Sequence, residues 1–219
     1  MPIKENDFVE LDYTGKVKES GMVFDTTQED VAKKNEFYNE KHQYAPVIIC
    51  VGRGQLLKGL DKHITGKEVD KTYKIELKPE EAFGKKSAEL IQLVPTAKFT
   101  KEKIRPEPGL QVQIDDAMGV IKTVSGGRTL VDFNHPLAGK ELEYEIKMSR
   151  VITDLLEKVK AFLKIETGME PEVQLTEKDA EITFPIKAPE EVKERLTALI
   201  KNSIPGLGKV TYKVAEAKQ

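Results

Sequence analysis

Apolar and polar residues alternate in short segments through the first two thirds of this chain, and glycine or proline bounds several of these segments. The pattern runs through Phe8–Thr14, returns in Thr72–Leu77 and is strongest in Glu141–Met148. Such alternation is typical of β-strands that bury one face. We therefore predict that this part of the chain is built mainly from strands, with Gly15 ending the first segment and Pro79 the second.

Helical spacing in this region is confined to one short segment. Four apolar residues share a helical face there: Leu56, Leu57, Leu60 and Ile64. Gly66 follows as a suitable C-terminal stop. The polar stretch 26–44 is predicted to be a long loop with one helical turn.

The composition permits packed cores under a strongly charged surface. The 219 residues are 39% hydrophobic and 33% charged, with a net charge of −2 and an isoelectric point near 6.1. Because the two signs nearly cancel, nothing in the charge balance calls for a nucleic acid or an anionic membrane as partner.

Cysteine usage and the lack of long apolar runs bear on location. The single cysteine, Cys50, excludes an intrachain disulfide, and its apolar neighbours Val47–Val51 predict a buried, structural thiol. The N-terminal residues lack the apolar core of a signal peptide, and no run approaches the roughly 18 apolar residues of a membrane span. We expect a cytoplasmic protein without a membrane partner.

Residues 86–130 predict a small β unit with its own turns. Leu90–Pro95 is predicted as a strand stopped by proline, and Leu110–Ile114 and Gly119–Val124 as a pair of strands. Phe99–Ile104 is ambiguous. The number of turn signals favours a separate domain.

Beyond Thr153 the pattern becomes helix, strand, strand, helix, strand. The apolar positions that define these elements are Leu155, Leu156, Val159, Phe162 and Leu163, then Val173 and Leu175, Ile182, Phe184 and Ile186, Val192, Leu196, Leu199 and Ile200, and Val210, Tyr212 and Val214. Residues 153–219 are therefore predicted to form a third, two-layer α+β domain. A unit this small has a thin core, so we expect its spare apolar surface to be buried against another domain or a second copy.

Four motifs occur in a fixed order along the chain. They are Val23–Thr27 (VFDTT), Val51–Leu60 (VGRGQLLKGL), Glu80–Gly84 (EEAFG) and Val131–Lys140 (VDFNHPLAGK). In this order they resemble an FKBP-type peptidyl-prolyl isomerase. The gap between the last two motifs resembles the SlyD subfamily, in which a second domain is inserted into the flap over the active site.

The resemblance covers residues 3–152 and implies an α+β fold. It implies an antiparallel sheet wrapped on a short helix, in a discontinuous domain of residues 1–85 and 131–152. An all-β insert domain at 86–130 interrupts it, and the C-terminal domain at 153–219 follows. The implied partners are unfolded or proline-containing polypeptides, and the family needs no cofactor.

The resemblance also assigns side chains to an apolar pocket that holds the X–Pro bond. The full set is Tyr13, Phe24, Asp25, Leu56, Leu57, Leu60, Phe83, His135, Leu137 and Tyr144. Within it, Asp25 would lie near the substrate, and the Leu57 N–H would donate to a substrate carbonyl. His135 is expected to orient the substrate or form a wall, because the reaction moves no proton.

Two positions depart from the family pattern. Leu60 stands where many members have tryptophan, and this chain has no tryptophan at all. Phe83 stands where tyrosine is common, and phenylalanine lacks the hydroxyl donor. We expect the pocket to persist but to bind macrolide inhibitors less tightly than short family members do.

Each assigned residue has a simpler explanation. The aromatic residues could be the core of a small β domain, Asp25 could bond only to its own turn, and His135 could cap a strand end. The combined order and spacing favour the pocket. His42 and His63 lie far from His135 in the sequence, so we expect no metal site.

For the insert, the resemblance implies binding of extended polypeptide through apolar surface and open strand edges. The candidates are Ile91, Leu93, Val94, Phe99, Val112, Ile114, Met118 and Val120. For any one of them, the insert's own core is the alternative. Met118, expected at a turn, is the best candidate for an adaptable exposed contact.

The sequence thus predicts an isomerase that also acts as a chaperone through its insert, and two alternatives stay open. One is a holdase or ribosome-associated chaperone with a vestigial pocket. The loss of tryptophan at Leu60 and of the tyrosine hydroxyl at Phe83 supports this alternative. The other is a scaffold whose functional end is the third domain, which could also form a homodimer.

Overall fold

A computed structural model of the protein describes residues 2–215. In chain order its helices and strands are β1 (Phe8–Val17), β2 (Val23–Thr26), α1 (Glu29–Lys34), β3 (Val47–Cys50), α2 (Lys58–Ile64), β4 (Lys71–Leu77), β5 (Ile91–Pro95), α3 (Thr96–Lys101), β6 (Gln111–Ile114), β7 (Ala117–Ser125), β8 (Arg128–Asp132), β9 (Leu142–Ile152), α4 (Leu155–Thr167), β10 (Glu172–Thr176), β11 (Asp179–Phe184), α5 (Glu190–Ser203) and β12 (Val210–Val214). Short 3₁₀ turns lie at Pro79–Glu81 and Ala88–Leu90.

The described chain divides into two compact units. The first combines the described residues of Met1–Leu77 and Leu142–Gln219, and the second is Lys78–Glu141. None of the helices between residues 2 and 215 is long and apolar enough to cross a membrane.

The sheet of the first unit is built around β1. Its order is β2-β1-β9-β4, with β3 also paired to β1, and all of these pairs are antiparallel. The sequence predicts that β1 ends at Gly15, but the strand pairs with β9 as far as Val17. It continues because Gly15 lies opposite Tyr144 within the ladder rather than in a turn.

The C-terminal third has the predicted element order, α4-β10-β11-α5-β12. The strand β11 pairs antiparallel with β10 and parallel with β12, and α5 makes the crossover between the parallel pair. The helix α4 has ordinary signals at both ends. The Asp154 side chain accepts from the Glu157 N–H at 2.8 Å, and Gly168 ends the helix in the left-handed conformation.

This C-terminal segment shares a hydrophobic core with the first sheet. Phe8, Cys50 and Ile152 from the sheet pack in one cluster with residues such as Phe162 and Ile200 from the helices. Polar contacts reinforce the junction. The Arg150 guanidinium donates to both carboxylate oxygens of Glu10 on β1, at 3.1 Å each, and to Glu157 on α4.

The burial predicted for Cys50 is therefore confirmed. The boundary predicted near residue 153 stays a prediction, and the shared core crosses it.

The second unit is a four-stranded antiparallel sheet in the order β5-β8-β7-β6 with the helix α3. The all-β description was wrong in one respect, because Thr96–Lys101 forms a helix. The helix turns Phe99 inward. The hairpin between β6 and β7 uses a two-residue turn, Asp115-Asp116, with φ of 47° and 65° at the two positions.

A small core fills the second unit: Val94, Phe99, Val112, Ile121 and Val131. The unit is wider than the predicted 86–130 because its two connecting segments bond to each other. The Gly139 N–H donates to the Gly84 carbonyl at 2.8 Å, and the Ser87 N–H donates to Asn134 Oδ1 at 2.8 Å.

Candidate active site

Three of the predicted aromatic residues form a cluster in the first unit. The Tyr144 ring lies 6.0 Å from the Tyr13 ring and 5.8 Å from the Phe24 ring, measured between centroids, and meets Phe24 edge to face. Tyr144 is buried, whereas Tyr13 and Phe24 are half-buried. Neighbouring strands of one sheet thus bring together residues that are more than 100 positions apart in the sequence.

Gly15 permits this close approach of the rings. A Cβ atom at Gly15 would lie 2.8 Å from Tyr144 Cε1 and 2.9 Å from Phe24 Cζ, distances that real contacts do not reach. A side chain here would therefore displace the aromatic cluster. The sequence pattern predicts a turn at Gly15 and gives no sign of this role.

Asp25 belongs to the same cluster. The Tyr13 hydroxyl donates to Asp25 Oδ2 at 3.1 Å. Burial, and next the Asp25 charge, raise the pKa of Tyr13 well above its ordinary value. Burial and Asp25 raise the pKa of Tyr144 in the same direction. Both phenols therefore stay neutral at physiological pH, and Tyr13 remains a donor to the carboxylate.

Two threonines that were not among the predicted site residues tie the segment after Asp25 to β1. The Thr27 hydroxyl accepts from the Tyr13 N–H at 3.0 Å and donates to Asp12 at 2.8 Å. The Thr26 hydroxyl bonds to the Tyr13 carbonyl at 3.1 Å. Both threonines are buried. Their position directly after Phe24-Asp25 in the first motif was the available signal.

The leucines of the second motif surround the start of α2. Leu60 is buried, and Leu56 and Leu57 are half-buried. The Leu57 carbonyl accepts from the Asp61 N–H, but the Leu57 N–H has no acceptor among residues 2–215. It is therefore available to a ligand.

Asp61, which was not among the predicted site residues, anchors the loop before this helix. Its carboxylate is buried and accepts from the Gly52 N–H at 2.8 Å and the Gly54 N–H at 2.9 Å. Both glycines have positive φ, a conformation that costs glycine little. The loop that leads to Leu57 is thus fixed by a buried charge.

The remaining predicted pocket residues lie in the second unit. The Phe83 and His135 rings stack with centroids 4.2 Å apart and planes 5° from parallel. His135 Nδ1 accepts from the Leu137 N–H at 3.1 Å, so the neutral imidazole carries its proton on Nε2. His135 is exposed and Leu137 is buried. The bond to Leu137 also matches the simpler explanation, in which the histidine stabilises a turn.

The predicted contact residues of the insert divide into two groups. Val94, Phe99 and Val112 are buried in the unit's core, so the expectation that they are exposed was wrong for these three. Ile114 and Val120 are half-buried. Ile91, Leu93 and Met118 are exposed, with Leu93 and Met118 each 59% accessible. Met118 lies in β7 opposite Gln113, just after the turn.

Comparison with known proteins decides the family. A sequence model of FKBP-type peptidyl-prolyl cis-trans isomerases matches residues 1–102, and a model of the IF domain of FKBP26 matches residues 92–137. The chain is 35% identical over 149 residues to the short-type peptidyl-prolyl cis-trans isomerase of Methanocaldococcus jannaschii, which covers 68% of this chain and 94% of that protein. This chain belongs to the FKBP-type peptidyl-prolyl cis-trans isomerase family.

Two further relatives of this FKBP-type isomerase come from bacteria, and one of them is a SlyD protein. It is 28% identical over 163 residues to the isomerase SlyD of Haemophilus influenzae, across 73% of this chain and 77% of that protein. It is 33% identical over 112 residues to the FKBP-type 16 kDa isomerase of Escherichia coli K12, across 48% and 74%. The enzyme is therefore SlyD-like. The roles of its individual residues remain predictions.

The geometry of this FKBP-type isomerase suits a reaction without bond cleavage. An X–Pro bond isomerises over a barrier of about 18–20 kcal/mol that arises from amide resonance. The cluster of Tyr13, Phe24 and Tyr144 offers a largely aromatic surface beside the Asp25 carboxylate, which accepts from the Tyr13 hydroxyl. None of these groups is required to form or break a covalent bond in such a reaction.

Proposed function

We propose that this enzyme isomerises X–Pro bonds in folding polypeptides at the Tyr13, Phe24, Asp25 and Tyr144 cluster. We also propose that it is the long SlyD-like form, whose insert captures unfolded chain, and that it works in the cytoplasm. The observation that carries the first proposal is the aromatic cluster with Asp25 held by the Tyr13 hydroxyl. Two of its residues, Phe24 and Asp25, belong to the first motif, and the family resemblance assigns all four to the pocket.

Catalysis follows from binding the twisted bond better than either planar isomer. Twisting removes the partial double-bond character of the amide, which makes the bond less polar. An apolar surface that replaces water therefore favours the twisted state over the planar ones. Lowering the barrier by about 1.4 kcal/mol accelerates the reaction tenfold, so a few such contacts suffice against an uncatalysed time of about 10–100 s.

Hydrogen bonds orient the substrate within this surface. The Leu57 N–H lacks an acceptor among the described residues and is the proposed donor to a substrate carbonyl. Phe83 lacks the hydroxyl that many relatives provide. The role of His135, whose ring stacks on Phe83, stays a prediction.

A proline-peptide assay tests the catalytic proposal. Wild type is expected to accelerate cis–trans exchange of a tetrapeptide with one X–Pro bond. Phe24→Ala and Asp25→Ala are expected to lower kcat/KM by about tenfold or more, a loss of about 1.4 kcal/mol or greater. Met22→Ala, at an exposed position two residues before Phe24, is the control.

The vestigial-pocket alternative makes the opposite prediction for the same assay. Leu60 in place of tryptophan and Phe83 in place of tyrosine are the observations that favour it. A wild-type protein without measurable exchange, yet able to suppress aggregation, would establish a holdase.

The proposal for the insert rests on its exposed apolar residues and open edges. In the described sheet β5 and β6 are the edge strands, and Leu93 lies on β5. Leu90, Ile91, Leu110 and Val124 are further exposed apolar side chains of this unit. An extended polypeptide can add to such an edge by backbone hydrogen bonds while its side chains contact these residues. The match to an IF domain supports this assignment.

Refolding experiments test the insert. Leu93→Ser combined with Met118→Ser is expected to lower catalysis of a proline-limited refolding reaction severalfold, while tetrapeptide isomerisation stays within twofold of wild type. Met22→Ser, which removes another exposed apolar side chain outside the insert, is the matched control. Equal losses in both assays would contradict a division of labour between pocket and insert.

We also propose that the C-terminal segment mediates homodimerisation. Val192 and Leu199 lie two helical turns apart on one face of α5 and are exposed, as are Ile186 and Val214. This unburied apolar surface is the observation in favour. Light scattering is expected to give a dimer mass for wild type and a monomer mass for Val192→Glu with Leu199→Glu. A monomer in both cases would contradict it.

A further inference from the structure

A large groove in the first unit runs along α4. Its volume is about 1070 Å³, larger than a site for a small ligand. One wall is the face of α4 that bears Ala161 and Ile165, and the other is the segment His42–Ile48. We call it the α4 groove. The lining combines apolar residues such as Pro46, Val47 and Ile165 with charged ones such as Glu157, Lys160 and Lys164.

The α4 wall presents the side of the helix that the core does not use. Ala161, Ile165 and Gly168 are four and seven residues apart, so they share one face. Val159, Phe162 and Leu163 point into the shared core instead. Ile165 is exposed although it is a large apolar residue, which indicates a surface suited to an apolar partner.

The groove borders the proposed active site at Tyr13. Tyr13, whose hydroxyl bonds to Asp25, lines the groove, and so do Thr26 and Thr27 directly after Asp25. A polypeptide bound at the aromatic cluster would enter the groove past Tyr13. Sharing Tyr13 with this site distinguishes the groove from an isolated surface depression.

The second wall offers unpaired backbone. The Cys50 N–H donates to Gln55 and the Cys50 carbonyl accepts from the Arg53 N–H, so Cys50 turns its backbone away from β1. Ile48, two residues earlier in the same strand, turns its backbone the same way. Among residues 2–215, nothing bonds to the Ile48 N–H or carbonyl. An extended chain in the groove can bond to this edge.

The length of the groove sets the size of its occupant. From Glu157 to Gly168 the helix rises by about 16 Å, and extended chain covers about 3.3 Å per residue, which gives about five residues. One exposed bond crosses between the walls, from Lys164 Nζ to Gln43 Oε1 at 2.8 Å. An exposed bond of this kind is weak enough for a peptide to displace.

We propose that the α4 groove binds about five residues of extended, apolar-rich substrate polypeptide on one side of the isomerised proline. The inference rests on the proposed active site and extends it. Substrate selection then depends on residues of the C-terminal segment, and polypeptides bind better than short peptides even without the insert's contribution.

The test compares a tetrapeptide that contains one X–Pro bond with two longer peptides. One carries six additional residues rich in leucine and valine before the tetrapeptide, and the other carries them after it. For wild type, one longer peptide is expected to have a KM at least about fivefold lower than the tetrapeptide, which corresponds to about 1 kcal/mol. Ile165→Glu and Ala161→Arg are each expected to abolish this gain and to leave the tetrapeptide within twofold of wild type.

Met22→Glu is the matched control, since Met22 is an exposed apolar residue outside the groove. It is expected to keep the gain. Circular dichroism of each variant excludes unfolding as the cause. The proposal is overturned if neither longer peptide gains affinity, or if the groove variants reduce tetrapeptide isomerisation as much as that of the longer peptide.

A photo-crosslinking measurement on the full-length wild-type protein needs no variant. The longer peptide, with a benzophenone side chain at its third added residue, is expected to label α4 or His42–Ile48. Labelling confined to other segments, or crosslinks that join two copies of the protein at this groove, would refute the proposal. If wild type fails to isomerise even the tetrapeptide, the active-site proposal fails, whereas the crosslinks still report on the groove.

Discussion

The two segments that extend the isomerase sheet are attached to it in different ways. The C-terminal segment shares one core with the sheet, in which Phe8, Cys50 and Ile152 pack with α4 and α5. The insert has a core of its own around Phe99 and Ile121. We therefore expect the C-terminal segment, which shares the core, to be needed for folding of the sheet, and the insert, which has its own core, to be dispensable for it.

Deletions give the largest expected effect. A chain that ends at residue 152 leaves Phe8, Cys50 and Ile152 without their partners, and we expect it to be insoluble or unfolded. A chain in which Asn-Gly replaces residues 88–133 is expected to fold, because Ser87 and Asn134 are hydrogen-bonded neighbours. Solubility and thermal unfolding measure both. If the chain that ends at residue 152 unfolds near the wild-type temperature, the C-terminal segment is not needed for folding of the sheet.

Matched phenylalanines test the two cores with one substitution. Phe162 lies in the shared core and Phe99 in the insert core, and both are almost fully buried. Each Phe→Ala change removes about 3–5 kcal/mol from the unit that contains it. We expect Phe162→Ala to lower the unfolding temperature together with tetrapeptide isomerisation. Phe99→Ala should leave tetrapeptide isomerisation unchanged and abolish protection of unfolded chains.

If instead both phenylalanine variants lose tetrapeptide activity in parallel, the insert core is not energetically separate. Hydrogen exchange assigns the loss to a unit. Faster exchange confined to 78–141 in Phe99→Ala is the expected result.

Two glycines make the same comparison at smaller scale. A Cβ at Gly15 would crowd Tyr144 and Phe24, and one at Gly119 would approach Val131 Cγ1 to 2.6 Å and Phe133 Cδ1 to 2.8 Å. Gly15→Ala is expected to lower tetrapeptide kcat/KM about tenfold, since it displaces the aromatic cluster. Gly119→Ala is expected to disturb only the insert and to spare this activity. Equal activity in wild type and Gly15→Ala would remove the argument for close ring packing.

The pH dependence of stability gives the smallest effect, with opposite signs in the two units. Burial disfavours the Asp132 charge, but hydrogen bonds from Asn134 and the charges of Lys86 and Lys122 outweigh it and lower its pKa. Because the pKa of Asp132 is lower in the folded state, its ionised form stabilises the fold at pH values above the unfolded-state pKa. This stabilisation is lost as the pH falls below about 4. The pKa values of Tyr13 and Tyr144 are raised, so their contribution is complete below about pH 10 and is lost above it.

Variants isolate these contributions. Asp132→Asn is expected to destabilise the insert by about 1–2 kcal/mol at pH 7 and by much less near pH 3. Tyr13→Phe is expected to reduce the decline of stability above pH 10. Urea unfolding across the pH range measures both. A difference between Asp132→Asn and wild type that is constant down to pH 2 would assign the effect to packing rather than charge.

Local pattern predicted much of this molecule. Alternation identified β1, β4 and β9, and helical spacing identified α2, α4 and α5, because one buried face dictates each pattern. The family resemblance selected Tyr13, Phe24, Asp25 and Tyr144, and the structure brings these four residues together in one cluster. These features depend on residues that are close in the sequence or on the resemblance to the family.

Other features depend on what packs against a residue, and the sequence does not show that. Phe8 and Ile152 have the same alternation whether they face the isomerase core or the C-terminal helices. Val94, Phe99 and Val112 are apolar whether they bind substrate or fill the insert. Gly15 appeared to be a turn because only the opposite strand explains the need for a missing side chain.

Cys50 provides an internal probe of the junction between the sheet and the C-terminal helices. It is the chain's only cysteine, it is fully buried in the shared core, and burial raises the pKa of its thiol. A thiol reagent can therefore react only in molecules whose junction has opened. The rate at which the wild-type protein is labelled therefore measures how often the junction opens. A lower rate in the presence of substrate would indicate that binding in the α4 groove keeps the junction closed.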